Sequence, residues 1–308
     1  MMRSRLSRAL LFCSLVASML FAGLPASADG ERGETAPFHR FTKLVVFGDS
    51  LSDTGNVFVV TRGAVPPPST YYAGRFSNGP VWVEYLAEAL DLPFENYAYG
   101  GALTDTANLF DGLGGVDFPG LRDEIDAYTG RRPEGIDRRA IYLVWAGAND
   151  FRAALSRGQT PDIQAVISNL LDAVDKLYAD GARYVVVPNL PDLGLTPEGL
   201  ASGAGPFITL LSATFNEYLA AALTVHAAGV VQIDVFQQMH ETVNHPEGYG
   251  FLNVTTPCRT AAGVCADPDT YLFWDHVHPT TRGHEVLAET FEKAIKEKLV
   301  MRYRHELF

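Results

Sequence analysis

Apolar segments and amphipathic segments alternate along this chain. Five short segments, at positions 43–47, 93–99, 140–146, 183–187 and 230–235, are rich in consecutive apolar residues, and the second is the least apolar. Consecutive apolar residues are typical of strands covered on both faces of a parallel sheet, whereas strands with one wet face alternate apolar and polar residues. The pattern therefore predicts five strands of a buried parallel sheet.

Helical periodicity fills the spaces between the predicted strands. Apolar residues recur there every three or four positions, and Asn78, a residue type that caps helices, precedes the first helical segment. The predicted helices are 80–90, 166–178, 207–228 and 287–295. Since strands and helices alternate, the sequence predicts a parallel α/β sandwich in one domain.

The first 28 residues have the pattern of a secretory signal. Three arginines lie within the first eight positions, an apolar stretch follows at about 9–24, and Ala26-Ser27-Ala28 has the small residues of a cleavage site. We predict cleavage after Ala28, which leaves a single domain of residues 29–308. The protein is then expected to be secreted or periplasmic. A retained membrane anchor is the alternative.

Charge and cysteine content narrow the possible partners. The formal net charge is −12, and it becomes more negative if the arginine-rich signal is removed. Such a surface attracts neither nucleic acid nor anionic lipid by charge. By this pattern no later apolar run is expected to be long enough to cross a bilayer, so we expect a soluble protein with no stable membrane anchor. Outside the cytoplasm, Cys258 and Cys265 are expected to form a local disulfide, and no feature predicts an oligomeric state.

Residues with reactive or hydrogen-bonding side chains follow the predicted strands. The first strand is followed by Gly48-Asp49-Ser50, the second by Tyr99-Gly100-Gly101 and the third by Gly147-Ala148-Asn149-Asp150. A fourth block, Asp275-His276-Val277-His278, precedes the last helix. Ligands of open parallel sheets bind beyond the carboxyl ends of the strands, so we expect these four blocks to meet there.

Ser50, His278 and Asp275 are the residue types that acyl transfer to a serine requires. A serine hydroxyl is a weak nucleophile and needs a base, and histidine titrates close enough to neutral pH to serve. Asp275 is three residues before His278, so a tight turn brings its carboxylate to Nδ1 and leaves Nε2 to face Ser50. The N–H groups of Ser50 and Gly101 and the amide of Asn149 are candidate donors to an oxyanion.

These four blocks, in this order, resemble the GDSL or SGNH hydrolase family. The resemblance extends over residues 43 to about 295. It implies a flavodoxin-like three-layer α/β/α sandwich with a central parallel sheet of about five strands. It also implies a serine esterase or lipase that uses no metal or organic cofactor and acts on a small-molecule or lipid ester. The segment 47–56 is most similar to secreted bacterial lipases, phospholipases and haemolysin-like enzymes.

The same resemblance maps a role to each candidate residue. It places the nucleophile at Ser50, the acid at Asp275, the base at His278, and the oxyanion donors at Gly101 and Asn149. The implied reaction is the hydrolysis of a carboxylic ester through an acyl-enzyme on Ser50.

The sequence leaves four alternatives open. The same triad serves a phospholipase or a lipid acyltransferase, in which another alcohol replaces water. A metal-dependent hydrolase would use Asp275, His276 and His278 as ligands. A secreted binding protein would retain the fold without turnover. Ser52 is a second candidate nucleophile beside Ser50.

A long connection after the nucleophile is a candidate wall of the substrate pocket. Residues 57–77 are rich in proline and tyrosine, and long loops beside active sites often act as lids or pocket walls. We therefore take Tyr72 and Phe76 as candidate pocket residues. A rigid surface loop whose aromatic residues pack against the core is the alternative.

Overall fold

Five short strands pair side by side into one parallel sheet. The computed structural model describes residues 40–226 and 229–306. Among these residues the sheet has the strand order β2-β1-β3-β4-β5. The strands are β1 (Leu44–Gly48), β2 (Phe94–Asn96), β3 (Ile141–Trp145), β4 (Tyr184–Pro188) and β5 (Val231–Ile233). The predicted parallel sheet is confirmed, although β2 and β5 are shorter than the apolar pattern indicated.

Helices cover both faces of this sheet. They are α1 (Asn56–Val60), α2 (Trp82–Leu90), α3 (Leu121–Thr129), α4 (Ala148–Ser156), α5 (Ile163–Ala179), α6 (Pro197–Ala201), α7 (Gly205–His226), α8 (Val235–Asn244) and α9 (Thr281–Glu306). Side chains of α3, α5 and α7 pack with Val45 and Phe47 on one face. Side chains of α2 and α9 pack with Leu44 and Val46 on the other. Successive strand residues point to opposite faces, so this arrangement explains why the strands are apolar throughout and gives the predicted three layers.

Asn78 contacts a different helix from the one predicted. The expectation that it caps the helix directly after it was wrong, because α2 begins at Trp82 and its first turn is closed by a hydrogen bond from the Val81 N–H to Glu84 Oε2 at 2.9 Å. Asn78 Oδ1 instead accepts the N–H of Thr281, the first residue of α9, at 2.8 Å. The side chain therefore fixes the start of α9 close to His278.

Helix α7 corrects the expectation about apolar runs. Among the residues described, α7 alone is long and apolar enough to cross a membrane by length and composition, with a mean hydropathy of 1.3 over Gly205–Val225. One stripe of α7, including Leu211, Phe215 and Leu219, is buried in the core beside the sheet. Core helices pass the same test of length and composition, and this burial accounts for the apolar character of that stripe.

A small disulfide-closed hairpin lies beside the loop that precedes α9. The predicted bond between Cys258 and Cys265 is present, with the two Cα atoms 4.9 Å apart. It closes the antiparallel pair β6 (Arg259–Thr260) and β7 (Gly263–Val264). The N–H groups of Cys258 and Arg259 donate to the carbonyl oxygens of Phe273 and Trp274. The hairpin is thereby attached to the strand-like segment that leads to Asp275.

The predicted signal, its cleavage after Ala28 and the anchor alternative lie outside the described residues. The extent of the single domain, 29–308, likewise stays a prediction.

Candidate active site

The turn after β1 presents Ser50 at the carboxyl edge of the sheet. Gly48 has a φ of +146°, and a Cβ there would lie 2.1 Å from the carbonyl oxygen of Trp145 on the neighbouring strand. A side chain at this position would therefore separate β1 from β3. Hydrogen bonds to Asp49 close the turn. Its carbonyl oxygen accepts the N–H groups of Ser52 and Asp53, and its side-chain Oδ1 accepts the N–H of Leu51. A strand followed at once by this tight turn leaves the hydroxyl of Ser50 at the edge.

Ser50, His278 and Asp275 form a continuous chain of hydrogen bonds. The distance from His278 Nε2 to Ser50 Oγ is 2.8 Å, although the residues are 228 positions apart. On the other side of the ring, Nδ1 lies 2.8 Å from Asp275 Oδ2 and 3.0 Å from Oδ1. Asp275 Oδ1 also accepts the N–H groups of Val277 and His278, each at 2.8 Å. The structure thus brings the three predicted residues together in the predicted order.

The environment of Asp275 favours its charged form. Burial alone would raise the pKa of this carboxyl, but the charge of His278 and the hydrogen bonds from His278 and Tyr71 hold the pKa below its usual value. A charged carboxylate that accepts from Nδ1 selects the imidazole tautomer whose Nε2 is unprotonated. Nε2 can therefore accept the proton of Ser50.

Tyr71 is a partner of Asp275 that the sequence did not reveal. Its hydroxyl donates to Asp275 Oδ2 at 2.7 Å, and burial raises the pKa of Tyr71, which keeps that hydroxyl protonated. The guanidinium of Arg259 lies 4.8 Å from the centre of the Tyr71 ring and donates to Thr70 Oγ1 at 2.9 Å. The disulfide hairpin therefore supports Tyr71 through Arg259. No motif pairs a tyrosine with an aspartate 204 residues away.

The candidate oxyanion donors are the N–H groups of Ser50 and Gly101 and the side-chain amide of Asn149. Among the described residues, the N–H groups of Ser50 and Gly101 donate to no protein acceptor. Gly101 has a φ of +83°, and a Cβ there would lie 2.5 Å from Asn108 Oδ1, so glycine is required at this position. Asn149, in the first turn of α4, is buried and its Nδ2 donates to the Ala102 carbonyl at 3.0 Å. This bond places the amide one residue from Gly101.

A mainly apolar cavity opens beside the triad. The unoccupied space in it, with the solvent at its open mouth included, is about 800 Å³, and Ser50, Asn149 and His278 line one end. Its other walls come from β3, from the segment 191–196, from α8 and from the start of α9. The walls are hydrophobic for most of their area, as in sites that hold the apolar part of a small molecule.

The candidate pocket residues Tyr72 and Phe76 do not line this cavity. Phe76 is 6% exposed and lies against the His278 ring, with centroids 5.2 Å apart, and it stacks on Phe110. Tyr72 is 48% exposed beside Arg75. Phe76 therefore supports the imidazole, and the side chain of Tyr72 faces solvent.

The structure also shows the surroundings of the two competing candidates, Ser52 as the nucleophile and His276 as a metal ligand. Ser52 is fully buried, and its Oγ accepts the indole N–H of Trp82 at 3.2 Å. His276 is exposed, while both carboxylate oxygens of Asp275 are occupied by His278, Tyr71 and backbone N–H groups. Within the part of the chain that the structure describes, no three potential metal-binding side chains are grouped.

Three buried carboxylates hold the loops that carry these groups. Glu124 accepts the N–H groups of Gly48 and Tyr99, and Asp53 accepts that of Gly100. Burial raises the pKa of Glu124, of Asp53 and of Asp49, the last to about 6 despite the Leu51 N–H and the charge of His278. The turn beside Ser50 is therefore held by acids whose ionisation is disfavoured.

We expect Asp49→Asn to remove a pH-dependent loss of stability. The folded pKa of about 6 exceeds the ordinary 3.8, so the carboxyl stabilises the fold below pH 3.8 and this contribution is lost as the pH rises through 6. Relative to the variant, the free energy of unfolding of the wild type should fall by at most about 3 kcal/mol across that window. Urea unfolding at closely spaced pH values measures this difference. A difference that does not vary with pH, or one that the exposed Asp117→Asn control reproduces, would contradict the assignment.

Comparison with known proteins shows which family this chain resembles. The model of the GDSL-like Lipase/Acylhydrolase family matches residues 44–291. The chain is 30% identical to the thermolabile hemolysin of Vibrio parahaemolyticus, over 81% of this chain and 63% of that protein. It is 27% identical to the phosphatidylcholine-sterol acyltransferase of Aeromonas hydrophila, over 81% and 88%. The fold is shared with the crystal structure of LAE5, an alpha/beta hydrolase enzyme from the metagenome of Lake Arreo. The TM-score is 0.51 at 16% identity, and the match covers 84% of this chain and 97% of that one.

Proposed function

This chain belongs to the GDSL-like lipase/acylhydrolase family and is a carboxylic ester hydrolase, and on that premise we propose that it is a secreted serine esterase or lipase that forms an acyl-enzyme on Ser50. The observation that carries the proposal is the chain of hydrogen bonds from Ser50 Oγ through His278 to Asp275. The signal-like residues 1–28 support secretion.

The proposed reaction begins with attack by Ser50 Oγ on the ester carbonyl carbon. His278 Nε2 takes the hydroxyl proton, and the Asp275 carboxylate stabilises the imidazolium that forms. The oxyanion of the tetrahedral intermediate accepts from the N–H groups of Ser50 and Gly101 and from Asn149 Nδ2. When the intermediate collapses, the C–O bond to the alcohol breaks and His278 returns its proton to that alcohol.

Water then releases the acyl group. His278 removes a proton from the water as it attacks the acyl-enzyme, and the second intermediate expels Ser50 Oγ, which recovers its proton from His278. The products are a carboxylic acid and the free enzyme. A lipid alcohol in place of water completes an acyl transfer instead, and the similarity to a phosphatidylcholine-sterol acyltransferase supports this as the second candidate function.

Chromogenic esters with and without EDTA test the proposal against its alternatives. We expect hydrolysis of p-nitrophenyl esters whose rate is unchanged by the chelator, because the triad residues act without a metal ligand. Loss of the rate with EDTA and recovery with zinc would support the metal hydrolase. No turnover of any ester by folded protein would support the binding protein. Adding an excess of a long-chain alcohol and measuring the new ester reports the share of acyl transfer.

A further inference from the structure

We infer that the cavity beside Ser50 is a slot for one extended acyl chain of medium length, with helix α8 as its end wall. This inference rests on the proposed function and specifies the substrate of that same site. It concerns the acid part of the ester, because that part stays bonded to Ser50, which lines the cavity, in the acyl-enzyme, whereas the alcohol leaves.

The position of the walls sets the direction of the slot. Ser50 follows β1, and Val235 begins α8 directly after β5, with β3 and β4 between these two strands. The cavity therefore crosses the carboxyl ends of β3 and β4, where Trp145 and Pro191 line it, and reaches α8. An acyl group on Ser50 would point along this path, away from the Phe76 side of the imidazole.

The strand spacing gives the length of the slot. Three spacings of about 4.8 Å separate β1 from β5, so the path is about 14 Å long before the side chains of α8 are counted. With carbon–carbon bonds of about 1.5 Å and angles near 111°, an extended chain advances about 1.25 Å per carbon, so the slot accepts roughly eight to eleven carbons. Shorter chains leave part of its apolar wall uncovered.

Helix α8 closes the slot with one face. Val235, Gln238, Met239 and Thr242 line the cavity at spacings of three and four residues, which places them on the same side of the helix. Gln238 donates to Thr242 Oγ1 at 3.1 Å and accepts from Thr290 Oγ1 of α9 at 2.9 Å. These bonds join the two helices and satisfy the polar groups at the wall. The long, flexible side chain of Met239 then limits the length of the acyl chain that can bind.

Substitutions at Met239 test whether its side chain limits the length of the bound acyl chain. The measured quantity is kcat/KM for p-nitrophenyl dodecanoate divided by kcat/KM for p-nitrophenyl octanoate. Met239→Ala should raise this ratio by about tenfold or more, and Met239→Trp should lower it by a similar factor. One methylene in an apolar pocket changes selectivity by about 10-fold or more. Phe236→Ala is the matched control, because Phe236 is on the same helix, contacts the His240 ring and does not line the cavity. Its ratio should match that of the wild type.

A binding measurement separates the slot from the chemistry. In the Ser50→Ala protein, excess decanoate should raise the melting temperature and acetate should not, and adding Met239→Trp should abolish the shift while Phe236→Ala keeps it. Ester hydrolysis with an unchanged chain-length ratio in both Met239 variants overturns the slot and leaves the proposed function standing. Decanoate stabilisation that depends on Met239, in a protein that hydrolyses no ester, supports the slot and overturns the proposed function.

Discussion

Replacing Ser50 by alanine is expected to lower kcat for ester hydrolysis by on the order of 10⁶-fold, as loss of the nucleophile does in other serine hydrolases. The hydroxyl is the only atom of Ser50 that contacts His278 Nε2, and its removal leaves the imidazole with no proton to accept. The backbone N–H and the turn around it are unchanged. Residual activity should therefore reflect the oxyanion donors and substrate binding alone.

The chain offers a matched control two residues away. Ser52→Ala removes a hydroxyl from the same turn, but that hydroxyl is fully buried and accepts from Trp82, so we expect kcat within a fewfold of the wild type and a small loss of stability. Steady-state rates on p-nitrophenyl octanoate and circular dichroism of both variants decide the matter. Retention of more than about one per cent of the activity by folded Ser50→Ala, or its loss in folded Ser52→Ala, would refute the assignment of the nucleophile.

Replacing Asp275 by asparagine is the second large effect, with an expected loss in kcat of about 10⁴-fold. Oδ1 accepts two backbone N–H groups, from Val277 and His278, so the amide oxygen of the variant will take that position. The amide nitrogen then takes the place of Oδ2 and donates to His278 Nδ1. This selects the tautomer with a proton on Nε2, which cannot accept the proton of Ser50.

Tyr71→Phe provides the comparison for Asp275→Asn. It leaves the carboxylate in place and removes one donor to Oδ2, so its loss should be roughly ten- to a hundredfold, in line with about 1.5–3 kcal/mol for a hydrogen bond to a charged group. Rates over a range of pH, with NMR of the imidazole nitrogens, measure both variants. A wild-type rate in Asp275→Asn, or an Nε2 that stays unprotonated in it, would show that Asp275 does not select the tautomer.

Much of the fold followed from local pattern. The apolar runs at 43–47 and 140–146 predicted β1 and β3 almost to the residue, because a strand that is buried on both faces has apolar residues at consecutive positions. Boundaries were less accurate where polar residues extend a strand: within the segment 93–99, β2 is Phe94–Asn96, although the N–H groups of Tyr97 and Tyr99 still donate to carbonyl oxygens of β1. Asn78 has the right residue type for a cap, but which helix it contacts depends on the approach of Thr281 of α9, 203 positions away in the chain.

The candidate site shows the same division. Local pattern was enough to predict the five strands, the short cystine loop, the strand-end blocks with Ser50, Gly101 and Asn149, and the block with Asp275 and His278 before the last helix. Each depends on residues close together in the chain or on the shared edge of a parallel sheet. The hydrogen bond from Tyr71 to Asp275, the packing of Phe76 on the imidazole and the extension of the cavity toward α8 became visible only in the folded molecule. These contacts depend on how distant loops and helices pack, and the free energy of packing is shared among many side chains that no short stretch of sequence contains.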